Sequence, residues 1–389
     1  MNWVALRMLT GDRTKYLGIV FGVSFAALLM GQQMAIFCGL MRNTTSQIRD
    51  LEGADLWVMD KSVQFVDDVK PMNENKLSRV RGVDGVAWAV KLYKGIGRAK
   101  LADGNYQQVI LLGLDYDNKD AQGRVVGQPR DERIVVGDWS ELSRPDTVFL
   151  DEFGWSYMYG LDAPFVRGKT LEINNKRAEI VGLVKCNPTF QTFPILYTQY
   201  KQALNYNPPE SKQLSFILVK AQDGVTPEQV CQAIEERTGL VAKTNDQFFW
   251  STIDYYMKRT GIPINFGITV LLGFVVGCAI AGQTFYLFTI ENIKQFGSLK
   301  AMGVSNFRLV RMILLQALVV GVIGYGIGIG GAAGFGLVFE KFVKGTPPAF
   351  YFGWQIPLIT AVAVFLIITA AALISMKRVL FLEAGVVFR

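Results

Sequence analysis

The chain has 389 residues, half of them hydrophobic, with 40 Lys and Arg against 33 Asp and Glu and no histidine, for a formal charge of +7. Without histidine, the commonest metal ligand and the commonest general base are both missing, which excludes histidine-dependent metal and acid–base chemistry. Of the four cysteines, Cys38 and Cys278 lie in apolar stretches as small packing groups. Cys186 and Cys231 form one pair with no spacing signature, which favours free thiols over a disulfide.

Residues 1–15 are read as a short interfacial helix, followed at 16–40 by the first of four stretches without Lys, Arg, Asp or Glu. The others cover 262–290, 312–339 and 345–376, the last crossing at 353–376. Each exceeds the roughly 20 apolar residues that span a hydrocarbon core of about 30 Å at a rise of about 1.5 Å per residue. The first has no convincing A-x-A-like cleavage site before Asn43 and is read as a span, not a secretory leader. The flanks 1–15, 291–311 and 377–389 together carry +7, whereas 42–261 carries −1. Because Lys and Arg are retained on the cytoplasmic side, both termini and 291–311 are placed inside, and 41–261 and the 340–352 loop with Pro347-Pro348 outside. The basic balance therefore reports topology and leaves no nucleic-acid footprint.

The outer segment reads as mixed α and β. An apolar run at 54–59, a polar helix at 73–81 and a strand at 86–93 form one strand–helix–strand unit. A second has a strand at 214–220, a helix and a returning strand at 240–244. That helix has Thr226 as N-cap, Pro227 at N1, Gln229 completing a capping box and Gly239 after its last turn. Two such units around a middle region suggest a split ferredoxin-like domain. The insertion, about 115–207, is read as a small β-rich subdomain with strands at 133–137, 147–150, 170–173, 178–184 and 195–198. Its Gly168-Lys169-Thr170 is no phosphate loop, because Walker A needs Gly at position 163, where Ala stands. The adjacent acids Asp67-Asp68 and Asp151-Glu152 are read as turn residues, with no activated nucleophile beside them.

Within the spans, Gly326, Gly328 and Gly331 spell G-x-G-x-x-G, but without the strand and βαβ setting of a dinucleotide site. Spacing by four explains them better: Gly324 with Gly328, and Gly326 with Gly330 and Gly334, share helix faces for close packing. Gly18, Gly22 and Ala26, and Gly273, Gly277 and Ala281, repeat the device. Gln32, Gln33, Gln283 and Gln316 are the few strongly polar side chains near or within spans, and no ionisable group sits at midplane. A proton relay or ion pathway is therefore unsupported, and the spans are read as transmitting work in preference to conducting cargo.

The loop Glu291-Asn-Ile-Lys-Gln-Phe-Gly-Ser-Leu-Lys-Ala-Met-Gly303 is a short amphipathic segment closed by Gly and followed by Val304, Ser305, Arg308 and Arg311. It resembles the E-R-x-x-E-I-G-x-L-K-A-L-G signature of FtsX-like permease domains in MacB-type ABC transporters, matching at Glu291, Gly297, Leu299, Lys300, Ala301 and Gly303. The Ala5-Leu-Arg-Met-Leu segment with Lys15, Tyr16 and Leu17, the strand around Gly182, and Arg378 with Glu383-Ala384 extend the resemblance. Gln295 and Gln316 depart from it, each replacing a carboxylate.

The resemblance implies an α-helical membrane protein with four transmembrane helices, one before and three after a large α+β extracytoplasmic domain. In layout it is similar to DevC-type permeases, MacB-like but without an ATPase domain. It implies a permease subunit that binds no cofactor itself, with ATP and Mg used by a separate ABC ATPase dimer docking on Glu291, Lys294, Phe296, Gly297, Leu299, Lys300, Ala301, Met302, Gly303 and Val304. A second copy of the chain, a periplasmic adaptor, an outer-membrane duct and membrane lipid are the further partners, in a bacterial inner membrane. Helical extensions at 42–51 and 248–258 would carry motion into the outer domain. The alternatives are a permease resembling the Lol lipoprotein-releasing subunits or FtsX itself, and a membrane-anchored sensor or scaffold without an ATPase.

Overall fold

The computed structural model describes residues 2–51, 53–116, 118, 125–207, 213–342 and 349–380. Pro347-Pro348, Glu383, Ala384 and Arg389 lie outside the described residues. Two helices open the chain, α1 (Asn2–Gly11) and α2 (Arg13–Thr44), followed by the short α3 (Ser46–Asp50). Then come β1 (Leu56–Met59), α4 (Asn75–Arg81), β2 (Val86–Lys100), β3 (Tyr106–Leu114), β4 (Ile134–Val136), β5 (Thr147–Asp151) and α5 (Glu152–Tyr159). They are followed by β6 (Lys169–Ile173), β7 (Lys176–Val184), β8 (Ile195–Gln199), α6 (Tyr200–Tyr206), β9 (Phe216–Ala221), α7 (Pro227–Thr238), β10 (Val241–Thr244) and α8 (Asn245–Arg259). The chain continues through α9 (Ile262–Glu291), α10 (Ile293–Ala301), α11 (Asn306–Phe342) and α12 (Gln355–Leu380). It divides into two compact units, one of Met1–Gly39, Gly261–Phe342 and Pro348–Arg389, the other mainly Leu40–Thr260.

In the second unit, β1-α4-β2 and β9-α7-β10 set their strands in the order β10-β1-β9-β2, with each neighbouring pair antiparallel. This is the ferredoxin-like arrangement expected from two strand–helix–strand units. The sequence signals of α7 act as read: Thr226 caps it in a capping box with Gln229, Pro227 opens it, and Gly239 ends it at φ 69°. Glycine adopts that left-handed conformation with the least strain.

All five strands expected in the insertion form, as β4 to β8. They do not make a separate subdomain. β2 continues to Lys100, well past the expected limit at 93, and pairs over Leu92–Lys100 with β3, a strand not expected from the residue pattern. β3 then pairs in parallel with β8, so the insertion widens one ten-stranded sheet. Gly95 and Gly97 interrupt the apolar alternation and hide the continuation of β2. Gly95 is there because a Cβ would lie 2.9 Å from Cε1 of the Tyr93 ring. The Gly168 turn enters β6, and the Lys169 ammonium lies 3.7 Å from the centroid of the Tyr159 ring, a cation–π contact.

Alternate residues of the strands build two cores. Leu56, Val58, Leu111, Leu150 and Ile217 face α4, α5, α6 and α7. Trp57, Met59, Leu112, Phe149 and Leu218 point the other way and pack with residues of α3 and α8. Cys231 belongs to the first core and Cys186 packs against the second, so the sheet separates them and both are free thiols.

Among the described residues of the first unit, four helices are long and apolar enough to cross a membrane, over Arg13–Thr44, Ile262–Glu291, Asn306–Phe339 and Gln355–Lys377. Their contact faces carry Ala26, Ala27, Gly273, Gly277, Ala281, Ala371 and Ala372. Phe21, Leu271, Leu272, Val362, Phe365 and Leu366 point outward and are exposed. Small residues lie at the close helix contacts beside buried side chains such as Phe285 and Phe288, and large apolar residues also face outward, an arrangement suited to a lipid solvent.

Candidate functional site

The loop between α9 and α11 folds as α10 and closes in a Schellman turn. The Gly303 amide donates to the Lys300 carbonyl at 3.0 Å and the Val304 amide to Leu299 at 3.1 Å, with Gly303 at φ 87°. Val304 and Leu299 are the apolar pair that accompanies such a turn, and both pack on the bundle core. Phe296, 0% exposed, and the buried Gly297 fix α10 from below. Ser305 then accepts from the Arg308 and Leu309 amides to start α11.

Of the ten predicted coupling residues, Phe296, Gly297, Leu299 and Val304 therefore belong to the inner framework. Glu291, Lys294, Ala301, Met302 and Gly303 form the outer surface, and Lys300 is half-buried. Met302 is 72% exposed and is joined by Phe307, 77% exposed, which the sequence reading missed. The available signal was an aromatic residue set between the turn and the basic pair Arg308 and Arg311. The result is an apolar knob within a basic surround, a composition suited to a protein contact.

Two further contacts steady this end of the bundle. Lys15 pairs with Glu291 and, at 2.6 Å, with Asp12, whose carboxyl its hydrogen bonds hold below the usual carboxylate range. The buried Gln316 amide donates to the Ala5 carbonyl at 2.8 Å, binding α1 to α11. Where a carboxylate was expected, a neutral amide supplies the donor that a main-chain carbonyl requires. The other face of α1 presents exposed Trp3 and Leu6, with the Arg7 guanidinium 5.2 Å from the Trp3 ring centroid, a pattern suited to an interfacial helix.

The predicted packing glycines divide into two groups. A Cβ on Gly22 would reach Ile280 at 2.5 Å, on Gly277 it would reach Ala26 at 2.5 Å, and on Gly324 it would reach Val23 at 2.7 Å. On Gly328 it would strike the Ser24 carbonyl and lie 2.6 Å from Ala27, while Gly18 and Gly273 make looser contacts at 3.6 Å and 3.4 Å. Gly330 and Gly334, expected on a packed face, meet nothing within 4 Å, and neither does Gly326. Helix α11 thus packs on α2 through its 324/328 face. The 326/330/334 face lies on another side of the same helix.

In the second unit, the expected extensions are helical but interrupted: α2 ends at Thr44, and α3 restarts at Ser46. Helix α8 begins at Thr244, whose hydroxyl accepts from Gln247 at 3.2 Å in a capping box. Phe248 wedges it onto the sheet against Trp57 and Phe216, with ring centroids 5.5 Å and 6.0 Å away. Further along, Tyr255 stacks on Phe65 at 4.1 Å and Tyr256 lies edge-on to the same ring. The loop bearing Phe65 is itself held by Lys94 of β2, 7% exposed, which donates to the Val66 carbonyl at 2.9 Å and pairs with Asp67. Burial pulls the Lys94 ammonium below its ordinary pKa, and Asp67 opposes that shift.

Residues 16–237 match the MacB-like periplasmic core domain, more than half of the chain, and residues 261–384 match the FtsX-like permease C-terminal domain. The chain belongs to the MacB-like, FtsX-like permease family. Two uncharacterized ABC transporter permeases from strains of Mycobacterium tuberculosis are each 23% identical over 322 residues, covering 80% of this chain and 80% of the relative. Among solved structures, the periplasmic region of MacB from Actinobacillus actinomycetemcomitans is 15% identical, over 55% of this chain and 99% of that one, with a TM-score of 0.36. The extracellular domain of the noncanonic ABC-type transporter YknZ from Gram-positive bacteria is 14% identical, over 49% and 98%, with a TM-score of 0.33. Family membership and the four apolar helices make this an ABC transporter permease of the inner membrane with a periplasmic domain.

Proposed function

We propose that this permease is the membrane subunit of an export complex in which a separate ABC ATPase dimer, using ATP and Mg, docks on the surface around Met302 and Phe307. The observation that carries this reading is the pairing of a rigid seat with an exposed apolar knob: Phe296 and the Schellman turn are built into the bundle, while Met302 and Phe307 project from it. A push there reaches α9, which is continuous in sequence with α8 through Thr260 and Gly261. Helix α2 leads likewise into α3. Two copies of the chain, with both termini in the cytoplasm, would act as paired levers on periplasmic domains that expel substrate through an adaptor and an outer-membrane duct.

The test replaces Met302 and Phe307 together by Asp and measures co-purification of the partner ATPase. Loss of association with unchanged membrane insertion is expected, and undiminished association sinks the docking role. Leu299→Asp is a poorer probe, because Leu299 packs on the core and its loss perturbs the bundle. Cross-linking cysteines placed in α3 and α8 are expected to stop export while basal ATP hydrolysis continues. Export that proceeds at the normal rate in the cross-linked protein rules out motion there as the output.

A further inference from the structure

The path from α2 into α3 breaks at Thr45, within the second unit. Thr45 sits at φ −111° and ψ 9° and gives α3 no side-chain cap. The main-chain bonds on either side of it are stretched: the Thr45 amide donates to the Arg42 carbonyl and the Arg49 amide to the Thr45 carbonyl, each at 3.4 Å. Two hydroxyls also bond back to the preceding turn, Thr44 donating to the Met41 carbonyl at 2.6 Å and Thr45 to the Arg42 carbonyl at 3.1 Å. Back-bonding of this kind competes with the helical ladder and bends helices.

The two ends of α3 are held differently. At its far end Asp50, buried, pairs with Arg133 at 3.0 Å and accepts from the Asn187 main chain at 2.9 Å and from the Asn187 side-chain amide. Ile48 and Leu51 are set in the core beside it. At the near end Asn43, Ser46 and Gln47 are buried, yet Asn43 Nδ2, Ser46 Oγ and both polar atoms of the Gln47 amide have no hydrogen-bond partner. Thr252 of α8, the helix that packs on α3, is fully buried and its hydroxyl is likewise unpartnered. Polar groups closed in without partners raise the energy of the packed arrangement relative to one in which water reaches them. Arg49, whose guanidinium donates to the Arg42 carbonyl at 2.9 Å, ties the two helices across the break and limits how far they part.

We propose that Thr45 is a hinge, about which the start of α3 swings away from the second core and exposes Ser46 and Gln47, while Asp50 stays fixed as the pivot. Its use in export rests on the lever reading above: the hinge puts the give of the first leg at one residue. The Asp50 joint then passes the motion to Arg133, just before β4, and to Asn187, just after β7.

The experiment uses the full-length chain in membranes, with Cys38, Cys186, Cys231 and Cys278 replaced by Ala and a charged maleimide as the probe. Ser46→Cys and Leu51→Cys put thiols at positions 1% and 2% exposed, so a difference in their labelling reports motion. Ser46→Cys is expected to label about tenfold faster than Leu51→Cys. Gln47→Leu, which removes two of the unpartnered groups, is expected to slow the labelling of Ser46→Cys about tenfold. Asp50→Asn is expected to bring Leu51→Cys towards the Ser46→Cys rate. Equal labelling at the two positions, slow or fast, overturns the hinge, and so does labelling of Ser46→Cys that Gln47→Leu leaves unchanged. Hydrogen exchange of the unsubstituted chain gives the same comparison: the Arg49 amide, bonded across the break to Thr45, should open more often than the Leu51 amide, bonded within α3 to Gln47. Equal protection of the two amides overturns the hinge. Neither readout involves the ATPase, so the hinge stands or falls independently of the docking surface, and the cross-links in α3 and α8 test the lever separately.

Discussion

Both units bury large apolar side chains, but they differ in what faces outward and in how closely their backbones approach. In the sheet domain, large side chains such as Trp57, Phe149, Phe216 and Phe248 are fully buried, and the buried charges Lys94 and Asp50 are paired with Asp67 and Arg133. In the helical unit, glycine and alanine occupy the closest contacts beside buried Phe285 and Phe288, while Phe21, Leu271 and Phe365 face outward. One unit gains stability by removing apolar area from water. The other, with no such gain in lipid, depends on how closely its backbones approach. A substitution is therefore judged by different criteria in the sheet domain and in the helical unit.

The largest expected effect breaks the polar closure of the sheet domain. Asp67→Ala leaves the Lys94 ammonium buried without its carboxylate and is expected to destabilise the protein by about 3–5 kcal/mol. Lys94→Met removes the buried charge itself and should cost clearly less. Urea unfolding in detergent checks both, and equal small losses would mean that the pair is solvated. Next in size, Gly328→Leu in the helical unit forces α11 away from α2 and is expected to cost about 1–3 kcal/mol. Gly330→Leu, on the open face, should stay within about 0.5 kcal/mol. If the two behave alike, close backbone approach is not what holds this bundle.

The smallest net effect is a pH dependence confined to the sheet domain. Burial pushes the Asp151 carboxyl up to about 7, although the Gly154 and Ile195 amides donate to it. A raised acid contributes stability that is complete below its unfolded pKa near 3.8 and is lost as pH rises through about 7. Asp60, Glu74 and Asp138 are lowered by hydrogen bonds and act in the opposite sense, so the global slope is shallow. Carbon-13 titration of Asp151 should show a midpoint near 7, and a midpoint near 4 would mean that water reaches the group.

Local chemistry was legible in the sequence wherever one segment contains its own explanation. Thr226, Pro227, Gln229 and Gly239 define α7 without help from the rest of the chain, and apolar runs without charge define the long helices. What stayed hidden depends on distant partners. β3 has an apolar half, but its place in the sheet rests on β2 and β8, and β2 is masked by Gly95. The glycine faces of α11 have equivalent spacing, and only the position of α2 separates 324/328 from 326/330/334. At the coupling loop, periodicity gave the amphipathic segment but could not show that Leu299 turns inward while Phe307, at the start of the next helix, points out.

Leu92 of β2 pairs with Phe216 of β9 on one side and with Leu114 of β3 on the other, so the two halves of the sheet share a single uninterrupted backbone. For protein engineering this forbids a simple excision. Removing 115–207 would take away β8 and leave β3 as a bare edge, with its row of unpaired amides and carbonyls open to any extended chain. A miniaturised version of this domain would have to retain β8 or blunt that edge with charge.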